Sequence, residues 1–308
     1  MAERSVARWS ERKGGMGEAM GPLPFEIGVA FAFALGACVG SFAVAAAWRL
    51  PRDISIVTPA SFCPNCERPI PWWANVPIFA YIGLRGRCVM CGATIPIRHL
   101  LGELAMAFAA ATLFILYPPA DAAARFLFLT ALLICSLIDY DWRLIPNVIT
   151  IPGTVVGFAV AGLAIPEVGW FNSMLGIAVG GGILYLTGFF YQIVRGREGV
   201  GLGDVFLLAM VGAFIGWAGA LFTLFFGALI GSIGGIIYAF AGGAEPSRAG
   251  DDCAAAASAA SSSPAPGAAQ PAGKSILATE VPFGPYLSIA AAIFAIFQTR
   301  LLTWYLSS

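Results

Sequence analysis

From Ile27 to Trp48 the chain runs through twenty-two residues without one charged side chain. About 20 such residues, wound as a helix, cross the ~30 Å hydrocarbon core of a bilayer. In lipid every backbone polar group must be satisfied internally, so only helices and closed barrels span. The run does not alternate apolar with polar residues, as a barrel strand would. Seven further apolar runs follow, at about 99–117, 123–140, 147–165, 172–194, 203–217, 219–241 and 284–306. Charged residues make up 11% of the chain, against roughly 25% in soluble domains. The expected fold class is therefore an all-α polytopic membrane protein with about eight transmembrane helices. A conventional soluble enzyme is excluded. The first run is also too long for the core of a signal peptide.

The connections divide the chain further. A polar tail (1–25) precedes the first helix (26–48), and a long loop (49–98) carries four paired cysteines. A helical core (99–241) follows. A loop at 242–283, "DDCAAAASAASSSPAPGAAQPAGK" at its centre, is too poor in large apolar residues to build a core. The last helix is 284–308. The sixth run is short, which leaves a glycine-rich or re-entrant start open. Glycines four apart (36/40, 176/180, 212/216 and 227/231) allow close helix packing. Loop 49–98 holds six arginines, and with eight spans the loops at 141–146, 195–202 and 242–283 share its side. The positive-inside rule then puts the cysteine loop in the cytoplasm, against four basic residues in the tail.

Cys63-Pro-Asn-Cys66 and Cys88-Val-Met-Cys91 form two CxxC turns separated by 21 residues. Each turn presents two thiolates, and two turns complete a tetrahedral zinc shell. Four thiolates close that shell, so the zinc is expected to be structural: the loop forms a small cytoplasmic zinc-binding domain with four cysteine ligands. A pair of disulfides is the alternative, disfavoured in a reducing compartment. Cys38 and Cys135 lie in apolar runs and read as packing residues, and Cys253 falls in the low-complexity loop.

Acidic residues are few in the spans: Glu103, Asp139, Asp141 and Asp204, with Glu26 at a rim. A membrane carboxylate is costly and points to function by default. Asp139 ends the third run in "LICSLIDYDWRLIPN"; Asp204 begins the sixth in "GVGLGDVFLL". Counting crossings puts both at the cytoplasmic face on different helices. Two carboxylates that meet share a proton, and such a dyad can activate water with one member and protonate a carbonyl or leaving amine with the other. Three other readings stay open from these residues alone. Asp204 caps its helix, Asp139 pairs with Arg143, or both belong to an ion- or proton-coupled transporter.

Together these segments resemble a family, the bacterial prepilin peptidases or type IV leader peptidases, membrane aspartic proteases of the GxGD type. "GLGD" (201–204) fits the name motif. "GSF" (40–42) with "RLP" (49–51), "NVPIFAYIGLRGRCVMCGATIPIRHLLGELA" (75–105), "IDYDWRLIPN" (138–147) and "VPFGPYL" (281–287) resemble its other segments in order and spacing. The resemblance implies an inner (plasma) membrane enzyme that removes the basic leader of type IV prepilins or pseudopilins at the cytoplasmic face. Asp139 and Asp204 match its catalytic aspartates, Asp141 being the weaker partner. Its members with the four-cysteine domain often also methylate the new N-terminus with S-adenosylmethionine. Glu103 matches an acidic position there, for methyl transfer or the substrate amine; a salt bridge to Arg98 is the plainer role. The expected partners are prepilins and lipid, not nucleic acid. Two departures stand out: Val44 where the family usually has Asn, and Phe206 where it usually has Lys beside the dyad.

Overall fold

The computed structural model describes residues 24–196, 201–240 and 283–307. The tail, most of loop 242–283 and Cys253 lie outside them. The described residues contain helices and no strand. Helix α1 is Phe25–Arg49, and the short helix α2, Phe79–Gly83, lies within the cysteine loop. Then come α3 (Ile97–Leu116), α4 (Pro119–Trp142), α5 (Asn147–Leu163) and α6 (Gly169–Arg195). The helical stretch Leu202–Phe240 is broken at Gly216 into α7 (202–215) and α8 (217–240). Helix α9 is Gly284–Ser307. Five stretches, Leu202–Ile236 among them, are long and apolar enough to cross a membrane, and Asn147–Leu163 and the Gly284–Gln298 part of α9 are shorter apolar segments. The chain is a multi-pass membrane protein.

Prolines and left-handed residues set the helix limits. Pro118 and Pro119 start α4, where a missing N–H costs nothing. Arg143, at φ 53°, ends α4, and Gly196, at φ 65°, ends α6. Gly216 has φ 75° and ψ 179°, a conformation open essentially to glycine alone. A Cβ on Gly180 would touch both Leu208 and Ala220, one on either side of that break. Twelve residues of straight helix would hold those two about 18 Å apart, so α7 and α8 fold back on one another along α6. The sixth run is thus a regular helix from Leu202 and not a re-entrant loop.

Glycine contacts fix the packing. Gly176 and Gly212 bring the backbones of α6 and α7 together. A Cβ on Gly40 would meet the Gly102 carbonyl oxygen at 2.7 Å, so α1 lies against α3. Gly153 and Gly157 of α5 face Met210 and Phe214 of α7. The centre is apolar and tight, with Phe128 stacked on Phe214 at 4.7 Å between ring centres.

Helix α4 is held to α9 at both ends. At the end away from the cysteine loop, Arg125 is 1% exposed. Its guanidinium donates to Asp121 at 2.6 Å, to the Ala295 carbonyl at 2.7 Å and to Gln298 Oε1 at 2.9 Å. It also reaches Glu167 at 3.3 Å and lies over the Tyr117 ring at 4.1 Å. The structure thus buries Arg125 in an ionic network between α4 and α9.

Candidate active site

Asp139 sits in the last turn of α4 and is 6% exposed. Its Oδ2 accepts the backbone N–H of Gly284, the first residue of α9, at 2.9 Å. A Cβ at position 284 would stand 2.7 Å from that oxygen, so the close approach requires glycine. Asp204 lies in the first turn of α7 and is half-buried. Its own N–H donates to the Gly201 carbonyl at 3.1 Å. Because the helix starts at Leu202, Asp204 is inside the first turn and not the capping residue. A carboxylate there still gains from the positive end of the helix dipole.

The two aspartates occupy the same end of the bundle. The glycines of "GLGD" explain how. A Cβ on Gly203 would lie 2.9 Å from Ile145 Cβ, so glycine lets α7 begin directly against the segment that follows α4. A Cβ on Gly201 would be 3.5 Å from Asp204 Oδ2, which leaves that face of the carboxylate open to an approaching backbone. Phe206 is half-buried one turn further on.

The other acidic residues have different partners. Asp141 takes a two-oxygen ion pair from Arg98, at 2.6 and 2.7 Å. That pair occupies Arg98, so the expected Arg98–Glu103 bridge is not formed. Glu103, 7% exposed in α3, instead accepts the backbone N–H of Ile78 at 2.7 Å. No sequence pattern announced that contact, which joins a loop amide to a helix side chain 25 residues later.

Above α1 and α3 lies the cysteine module. The Sγ atoms of Cys63, Cys66, Cys88 and Cys91 all fall within 4.8 Å of one another, and those of Cys63 and Cys91 are 3.9 Å apart. Tetrahedral zinc with ~2.3 Å Zn–S bonds needs sulfurs about 3.8 Å apart. The two turns share one backbone plan. Glu67 N–H donates to the Cys63 carbonyl as Gly92 N–H does to that of Cys88, and both residues have positive φ. The Ala93 backbone amide, then the Asn65 side chain, lower the Cys91 thiol to about 6. Against the lowering pull of the Arg68 backbone, desolvation and the neighbouring Cys91 and Cys63 push Cys66 up to about 11. A dication at the centre relieves that crowding, so the cluster fits a structural zinc. Arg49, buried at the end of α1, donates to the Ser55 and Ala60 carbonyls at 3.2 Å each and fixes the module's entry segment.

Comparison with known proteins places these features. The family model for the bacterial peptidase A24 N-terminal domain matches residues 34–117, and that for the type IV leader peptidase family matches residues 126–236. The chain is 34% identical over 214 residues to a prepilin leader peptidase/N-methyltransferase of Myxococcus xanthus, covering 69% of this chain and 64% of that relative. A protein of the same name from Burkholderia pseudomallei is 33% identical, over 73% of this chain and 81% of the relative. A third, from Pseudomonas putida, is 30% identical, over 86% and 89%. No solved structure matches the chain.

Proposed function

Since this chain belongs to the type IV leader peptidase family, we propose that it is an aspartic endopeptidase cutting the leader from type IV prepilins or pseudopilins. One observation supports the reading: Asp139 and Asp204, from separate helices, lie at the same end of an apolar bundle, where Gly203 packs on Ile145 just after α4. One carboxylate takes a proton from water, which attacks the scissile carbonyl carbon. The other gives a proton to the carbonyl oxygen. In collapse of the tetrahedral intermediate the first carboxyl gives its proton to the leaving amine, the C–N bond breaks, and a gem-diol hydroxyl returns a proton to the second carboxylate. Burial keeps bulk water from competing. The Gly284 N–H fixes the Asp139 carboxylate in one orientation.

The location supports the substrate. A prepilin carries its cleavage site beside a hydrophobic helix, so both helix and scissile bond reach the end of a membrane bundle together. That end is taken as the cytoplasmic face, on the basic balance of its loops.

N-methylation of the new N-terminus is the second half of the proposal, and it rests on the names of the relatives. S-adenosylmethionine is the methyl donor it implies. The hollow lined by Val44, Ala47, Trp48, Arg98, His99, Leu137 and Asp141 has about 10 Å³ of room, one water's worth, and does not fit that cofactor. Glu103, at the junction of module and bundle, is the residue proposed to link the two halves.

Purified protein in lipid vesicles, given a full-length prepilin, tests the reading by mass spectrometry. One cut at the start of the pilin's hydrophobic helix is expected. An intact prepilin, or cuts scattered elsewhere, refutes it. A mass increase of one methyl on the mature N-terminus reads the second activity separately.

A further inference from the structure

The segment 71–83 carries an apolar surface that no described residue covers. Trp72 is 82% exposed, Phe79 76%, Ile82 63% and Trp73 49%. A solvated loop gains nothing from such a cluster. Its depth is fixed by one contact. The Ile78 N–H is bound by Glu103, the seventh residue of α3. Helix α3 has 20 residues, and Arg98 and His99 in its first turn mark the membrane surface. Glu103 is about 9 Å along the helix from its start, so Ile78 is held beside the outer end of the span, at the interface.

Backbone at that level gains from internal pairing, and the second half of the segment has it. The amides of Ala80, Ile82 and Leu84 donate to the carbonyls of Val76, Ile78 and Ala80, and that of Phe79 closes a tight turn on Pro77. Ile78 itself is at φ 66° and ψ −56°, a strained γ-turn for a β-branched residue. Glu103 holds that strain, and the turn throws Phe79 outward. The patch continues the lipid-facing side of α3, where Ile97 is 63% exposed and Leu101 56%. Exposed Arg68, Arg85 and Arg87 belong to the same module.

We propose that Trp72, Trp73, Phe79 and Ile82 insert into the interface of the protein's own bilayer, among anionic headgroups, as a membrane anchor for the zinc module. Aromatic residues favour that layer, and neighbouring cations strengthen binding to anionic lipid. The anchor holds the module's mass flat beside the helix ends. The inference rests on the chain spanning a membrane and not on its proteolytic chemistry.

The test uses full-length protein in phosphatidylcholine–phosphatidylglycerol vesicles, with and without bromine on the upper acyl carbons. Tryptophan emission of the wild type minus that of the Trp72→Phe/Trp73→Phe double variant isolates the two indoles. Both positions are exposed, so the fold is kept, and equal zinc content checks this. The difference emission is expected to fall at least twofold in brominated lipid and to resist aqueous acrylamide. Quenching by acrylamide with none by brominated lipid overturns the proposal. So does shielding that arises only on adding prepilin, which would make the patch a substrate surface. Prepilin cleavage in the same vesicles is scored apart: lost cleavage with retained lipid quenching sinks the protease reading alone.

Discussion

Asp139 Oδ2 and the Gly284 N–H are 2.9 Å apart across 145 residues of sequence. The start of the last helix is thereby latched onto a buried carboxylate. A methyl group at 284 would enter the space 2.7 Å from that oxygen. Gly284→Ala is expected to lower kcat for prepilin cleavage by about 10²-fold with little change in KM, the effect of a misplaced catalytic group. Steady-state kinetics check it; a loss below twofold would show that Asp139 does not depend on the latch.

Asp141 is committed to Arg98, and their side chains are 30% and 35% exposed. Exposed pairs of this kind contribute roughly 0–1 kcal/mol. Asp141→Asn is expected to leave cleavage within about twofold of wild type and thermal stability nearly unchanged. A loss on the scale of an Asp139 variant would make Asp141 a member of the dyad.

Arg125 is buried with Asp121, each 3% exposed or less. Removing one partner strands the other's charge, at a cost of about 3–5 kcal/mol. Arg125→Leu is expected to lower the unfolding temperature markedly, measured by thermal denaturation in detergent. An unchanged temperature would mean that α4 and α9 are held without this network.

Zinc removal should act locally. Stripping the metal with a chelator, or Cys63→Ser with Cys88→Ser, is expected to open the module to trypsin at Arg68, Arg85 and Arg87. The helix content should hold. Zinc content and a timed digest report both. A module that stays resistant without metal would show that the four-cysteine cluster is not what folds it.

Much of the architecture was legible because lipid imposes one rule, and 49–98 stood apart by composition. The break at Gly216 falls two residues before the gap expected between the sixth run, 203–217, and the seventh, 219–241. Asp139 and Asp204 were found because charges are rare in such runs, and crossing parity alone placed them at one face. Contacts between distant segments left no local trace. The Gly284 latch, the Glu103–Ile78 strap and the Arg125 network each join backbone or side chains from elements whose pairing depends on the whole bundle. The nearby pair of Arg98 with Glu103 lost to partners brought in by packing, Asp141 and the Ile78 amide.

The most direct measurement is prepilin cleavage in vesicles by wild type, Asp139→Asn and Asp204→Asn. Both substitutions keep shape and remove only the acid–base group, and zinc content and helicity confirm the fold. The account predicts that each lowers the rate by about 10²–10⁴-fold, the usual weight of general acid–base catalysis. Full processing by either variant would contradict it.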